Sequence, residues 1–100
     1  MLTEKFKFKA KLWEWHGKGA WHFVTLPVGV AEDIKNIFAH AKRGWGSLPV
    51  TVTVGKSVWK TSNFPDKKIK SFLLPIKKAI REQESVSSGE ELTVEIVVRD

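Results

Sequence analysis

The chain states one pattern twice, and that repetition limits its architecture more than any other feature. Residues 23–37 read Phe23-Val-Thr-Leu-Pro27-Val-Gly-Val-Ala-Glu-Asp-Ile-Lys-Asn-Ile37, and 48 positions later residues 71–85 read Ser71-Phe-Leu-Leu-Pro75-Ile-Lys-Lys-Ala-Ile-Arg-Glu-Gln-Glu-Ser85. Each copy is a short apolar strand, a Leu-Pro step and a charged amphipathic helix. The flanks agree: two strands lead into each Leu-Pro and one strand follows each helix. A β-β-α-β unit used twice predicts a mainly β fold, a six-stranded barrel of pseudo-two-fold symmetry with two short helices. The 100 residues form one domain (1–100) with repeat halves at about 5–55 and 56–99. Six strands in so short a chain need closure, because open sheet edges invite aggregation. A split α+β sandwich is the competing arrangement.

The period-two alternation of Phe6, Phe8, Ala10 and Leu12 against Lys5, Lys7, Lys9, Lys11 and Trp13 predicts a strand over 5–15 with a solvated lysine face. A hairpin at His16–Gly19 returns the chain along Trp21–Leu26. Val30, Ile34, Ile37, Phe38 and Ala41 fall at helical spacing and predict a helix over 30–41, with Glu32 and Asp33 in its first turn. Lys42–Ser47 reads as a basic loop, Val50–Val54 as a strand, Gly55-Lys56 as a tight turn and Ser57–Ser62 as its partner strand. Asn63–Lys70 reads as a polar loop and Ser71–Leu74 as a strand. Pro75 then suits the first position of a helix that buries Ile76, Ala79 and Ile80. Leu92, Val94, Ile96 and Val98 form the final alternating strand.

Charge is unevenly placed. Residues 1–81 carry 16 Lys+Arg against 5 Asp+Glu, net +11, whereas residues 82–100 carry one Arg against 6 acids, net −5. Partial cancellation is expected if the acidic last strand lies beside basic ones; otherwise the basic part suits an anionic partner. Without cysteine there is no disulfide framework, thiolate metal site or cysteine nucleophile. No apolar run is long enough to span a bilayer, and the N-terminus alternates where a secretory signal would be apolar, so a cytoplasmic protein is expected.

From residue 44 onward the motifs become specific. Gly44-Trp-Gly-Ser-Leu-Pro-Val50, Val54-Gly55, Trp59-Lys-Thr-Ser-Asn-Phe-Pro-Asp66, Leu73-Leu-Pro-x-Lys77 and Lys78-Ala-Ile-Arg81 follow in order, with Trp21-x-Phe-Val-x-Leu-Pro27 before them and Gly89-Glu-x-Leu-Thr-Val94 after. Together they closely resemble the bacterial family catalogued as domain of unknown function 1905. The resemblance implies a double-split, swapped-hairpin-like β-barrel and brings no catalytic or ligand residues with it. Lys56 departs from the pattern, which has glycine or a small residue after Gly55.

Four sites stand out as candidates. Lys5, Lys7, Lys9 and Lys11 are spaced at roughly 6.5–7 Å along one strand face, and with Trp13, Lys42 and Arg43 they suit a single nucleic-acid strand; edge protection is the competing account. Trp45, between two glycines, suits a ligand clamp or a plug in one barrel end, while Trp21 and Trp59 are expected in the core or barrel lid. Thr61, Ser62 and Asp66 offer polar groups for a small ligand, or simply turn chemistry. Lys77, Lys78 and Arg81 surround the expected start of the second helix, an anion site unless they pair with Glu82, Glu84 or the last strand. His16, His22 and His40 share no metal-ligand spacing, and no nucleophile–base–orienter trio is readable. The expectation is a non-catalytic module, monomeric or weakly dimeric, with no cofactor, binding a small polar or anionic ligand or a protein partner at the barrel mouth. The candidate residues are Trp45, Trp59, Thr61, Ser62, Asp66, Lys77, Lys78 and Arg81. Non-specific nucleic-acid binding through the basic strand is the alternative.

Overall fold

The computed structural model describes residues 4–17, 19–37 and 47–99. Its elements run β1 (Lys5–Lys11), β2 (Trp13–Glu14), β3 (His22–Thr25), α1 (Val28–Ile37), β4 (Leu48–Val54), β5 (Ser57–Asp66), β6 (Ser71–Pro75), α2 (Lys78–Gln83) and β7 (Glu91–Val98). The fold is mainly β: one curled, half-barrel sheet of seven strands with two short helices, in the order β1-β7-β4-β5-β6-β3-β2. The pairings among these seven strands are antiparallel.

The expected count of six strands becomes seven at Leu12. The alternating stretch 5–15 is not one strand, since β1 pairs with β7 whereas β2 pairs with β3. Leu12 alone separates them and is fully buried. Its N–H donates to Glu90 O at 2.9 Å, and its carbonyl accepts from Gly89 N–H at 2.7 Å. A buried backbone group must be paired, and here both are, so the chain crosses from one end of the sheet to the other without loss.

The middle of the sheet is fixed by period-two alternation. In β4, Val50, Val52 and Val54 face inward, opposite Val98, Ile96 and Val94 of β7. Thr51 and Thr53 occupy the other face and remain partly exposed. β-branched pairs of this kind fit a pleated, half-buried surface. Phe8, Leu12, Val24, Leu26, Phe72 and Leu74 extend the same core along the flanking strands.

Both helices differ from expectation. Helix α1 begins at Val28, directly after Pro27, whose carbonyl accepts from Ala31 N–H at 3.0 Å. Glu32 and Asp33 therefore lie beyond the first turn, and Ala31 and Ile34 are the buried positions. The expected continuation to residue 41, with Phe38, His40 and Ala41, lies outside the described residues. Pro75 does not open α2; it ends β6 opposite Phe23, and Ile76 N–H then donates to His22 O. Ile76 and Ile80 are buried, but Ala79 is exposed.

Helix α2 ends in a Schellman motif. Ser85 takes a left-handed φ of 54°, its N–H donates to Glu82 O, and Val86 N–H donates to Arg81 O. This stop sets Glu84 over the β4–β5 hairpin, where its carboxylate accepts from Ser57 Oγ at 2.6 Å. The hairpin turns on Gly55-Lys56, with φ +58° at Gly55, as a type II′ turn requires at its first central position. Lys56 needs no positive φ, which accounts for a non-glycine residue there. A Cβ on Gly55 would collide with the Glu84 carboxylate. Gly55→Ala is expected to cost about 1–3 kcal/mol from the positive-φ backbone plus a contribution from the collision. Chemical denaturation of Gly55→Ala with and without Glu84→Ala separates the two; equal costs in both backgrounds would remove the clash from the account.

Asn63 is buried to 0% exposure opposite Leu48, and neither its amide nitrogen nor its oxygen has a hydrogen-bond partner. An unsatisfied buried polar group costs about 1–3 kcal/mol. Asn63→Leu, with the same number of side-chain heavy atoms but a larger volume, is expected to raise the unfolding free energy by up to about that amount in urea denaturation; a loss of stability in both Asn63→Leu and the smaller Asn63→Val would count against an unpaired amide.

Candidate functional site

Strand β5 pairs with β6 over only its last three residues, and this opens a cleft. From Ser57 to Asn63 it pairs with β4; only Phe64–Asp66 pair with β6. On its other edge β6 pairs with β3 from Leu73 to Pro75. The cleft, of about 340 Å³, opens where β5 and β6 part. One wall is Trp59, Lys60 and Thr61 of β5; the other is Pro75, Ile76, Lys77 and Lys78 with Arg81 of α2. The turn Gly19–Trp21 and His22 of β3 close the remaining side.

Four cations therefore border one cleft: Lys60, Lys77, Lys78 and Arg81. Its described lining residues include no carboxylate. The lysines are exposed and Arg81 is half-buried. Arg81 is held in place, since its Nε donates to Ile76 O at 3.1 Å. Its Nη1 lies 3.4 Å from His22 Nε2, and His22 Nδ1 lies 2.9 Å from Ala20 O. A carbonyl only accepts, so Nδ1 carries the ring proton and, in the neutral ring, Nε2 accepts from the guanidinium. Ala20 itself holds a φ of 48°, uncommon for a residue with a Cβ.

The fold gathers some of the sequence-derived candidates and disperses others. Trp59, Thr61, Lys77, Lys78 and Arg81 share the cleft. Ser62 is not among its lining residues, and β5 continues as a strand to Asp66 where a polar loop over 63–70 was expected. Asp66 serves the β5–β6 turn: its Oδ1 accepts from Lys68 N–H at 2.9 Å. Trp45, Lys42 and Arg43 lie outside the described residues.

The tryptophans divide differently from expectation. Trp59 is buried at 8% exposure, as expected of a core residue, but Trp21 is 53% exposed at the cleft rim. It stacks on Phe23, ring centroids 6.1 Å apart and planes within 11°. Phe23 packs in turn on Trp13 at 5.3 Å, and Trp13 Nε1 donates to Thr25 Oγ1 at 2.9 Å. Trp13 is thus committed to packing. Lys5, Lys7, Lys9 and Lys11 are exposed on β1 as expected. The register sets Lys7 opposite Glu95 and Lys11 opposite Glu91, so the acidic last strand screens these two, while Lys5 and Lys9 lie opposite Val97 and Thr93.

Sequence comparison places this geometry in a family. A profile described as domain of unknown function (DUF1905) matches residues 8–96. The chain belongs to that family. No functionally curated protein matches it. No helix among the described residues is long and apolar enough to cross a membrane. As a DUF1905 member the chain inherits no assigned site, and the cleft must be judged on its own chemistry.

Proposed function

We propose that this DUF1905 protein is a non-catalytic binding module that takes a small anionic ligand in the β5–β6 cleft. The observation that carries the reading is the convergence of Lys60, Lys77, Lys78 and Arg81 on one concavity whose described lining has no acidic partner. Like charges in a lining that holds no carboxylate repel one another, with Glu82 beside Lys78 and Arg81 only in the adjoining pocket, and an anion relieves that repulsion while accepting charge-assisted hydrogen bonds. The affinity rests on these side chains and not on a helix terminus, since α2 has only six residues. His22 is engaged through both ring nitrogens and so is not poised to activate the Thr61 hydroxyl, which supports binding over catalysis. The screening of Lys7 and Lys11 by Glu95 and Glu91 favours the cleft over the basic strand.

The same reading includes an origin of the fold in two halves, about 5–55 and 56–99. The pairings are reciprocal in support of it: β3 pairs with β6 and β4 with β7, while β1–β7 and β5–β4 link the first strand of each half to the last of the other. Superposing the halves of a crystal structure tests this, and failure to bring Pro27 onto Pro75 would remove it.

Calorimetric titration with inorganic pyrophosphate at about 50 mM salt, where phosphate contacts are strong, tests the cleft. Lys77→Gln/Lys78→Gln is expected to weaken binding about ten-fold or more, given the strength of hydrogen bonds to charged groups. Lys67→Gln/Lys68→Gln, an equal charge change in the β5–β6 turn, is expected to leave it nearly unchanged. Equal losses in both variants would reduce the effect to net charge and defeat the proposal.

A further inference from the structure

Building on the anion-binding reading of the cleft, we infer that its ligand is of the nucleotide type: a flat aromatic ring carrying phosphate, the ring on Trp21 and the phosphate among Lys77, Lys78 and Arg81. Trp21 is the reason. A single exposed apolar side chain is ordinary, but this indole is both exposed and held. It is the outermost of three rings, Trp13, Phe23 and Trp21, in successive contact. The innermost is tied through its indole N–H to Thr25. The plane of Trp21 is therefore set before any ligand arrives, and a platform that need not be ordered on binding adds to affinity.

Platform and cations border the same cleft. Aromatic stacking beside a basic track is the usual means of holding a nucleobase with its phosphate, and it tolerates any base because each has a π-face. Four cations exceed what a single carboxylate requires and suit a multiply charged phosphate. The cleft volume of about 340 Å³ is near the lower end of the roughly 300–1,000 Å³ usual for ligand pockets, so it accommodates one nucleotide unit. Two sources share this chemistry, a free nucleotide and the phosphorylated end of a nucleic-acid strand.

Calorimetry with ADP, pyrophosphate and adenosine decides the matter. ADP is expected to bind at least about ten-fold more tightly than pyrophosphate, in line with measured base–aromatic stacking, and adenosine only weakly. Trp21→Ala should bring ADP down to the pyrophosphate level without changing pyrophosphate itself, and Trp21→Phe should restore most of the difference. A thermal melt of each variant verifies folding. Equal affinity for ADP and pyrophosphate, or an equal loss of both in Trp21→Ala, overturns the inference. If pyrophosphate still binds in a Lys77- and Lys78-dependent manner, the anion cleft survives that outcome; if neither anion binds, both readings fall. A short 5′-phosphorylated oligonucleotide distinguishes the sources: binding tighter than ADP assigns the strand end, and weaker binding assigns the free nucleotide.

Discussion

Everything in this sheet depends on how the chain passes through Leu12. The residue sits between two strands with different partners, at a depth where no water is available to solvate its peptide groups. Its N–H and carbonyl are both taken by residues 89 and 90. Without those two bonds the passage would strand a donor and an acceptor in an apolar interior, at a cost comparable to a large fraction of a small domain's stability. With them, one continuous segment forms both ends of the sheet, and the core strands β4, β5 and β7 are enclosed.

The short pairing of β5 with β6 turns the same geometry toward function. Where β5 leaves β6, two walls diverge and a cleft remains. The cations on those walls come from separated parts of the sequence, Lys60 from β5 and Lys77, Lys78 and Arg81 from the segment around α2. The positioning is secured by groups that do not face a ligand directly. The Ile76 carbonyl fixes Arg81, and the Ala20 carbonyl fixes the His22 ring that receives its guanidinium.

Much of this was legible in the residues. The two Leu-Pro steps located both helices and the strands before them, because a proline after an apolar run leaves few conformations open. The Gly55-Lys56 turn and the alternation of β4 and β7 followed from period two. Trp21 was misplaced for an instructive reason: apolar neighbours suggested burial, but parity with Phe23, opposite to that of buried Val24, assigns it to the outer face. The end of β5 beyond Ser62 was missed because Asn63, Pro65 and Asp66 look like loop composition. Tertiary pairing with β4 and β6 overrides that composition. The cleft itself had no local signature, since it arises from which strands part company rather than from any one motif.

The shared closing segment also changes the meaning of the lysine row. If residues 5–14 peeled away, the ladders of β7 and β3 would both lose a neighbour at once, leaving two open templates where an ordinary edge strand would leave one. Lys5, Lys7, Lys9 and Lys11 ride on that segment. Whether seated or released, they resist stacking of like strands from other molecules, so the protection travels with the part of the chain whose departure creates the hazard.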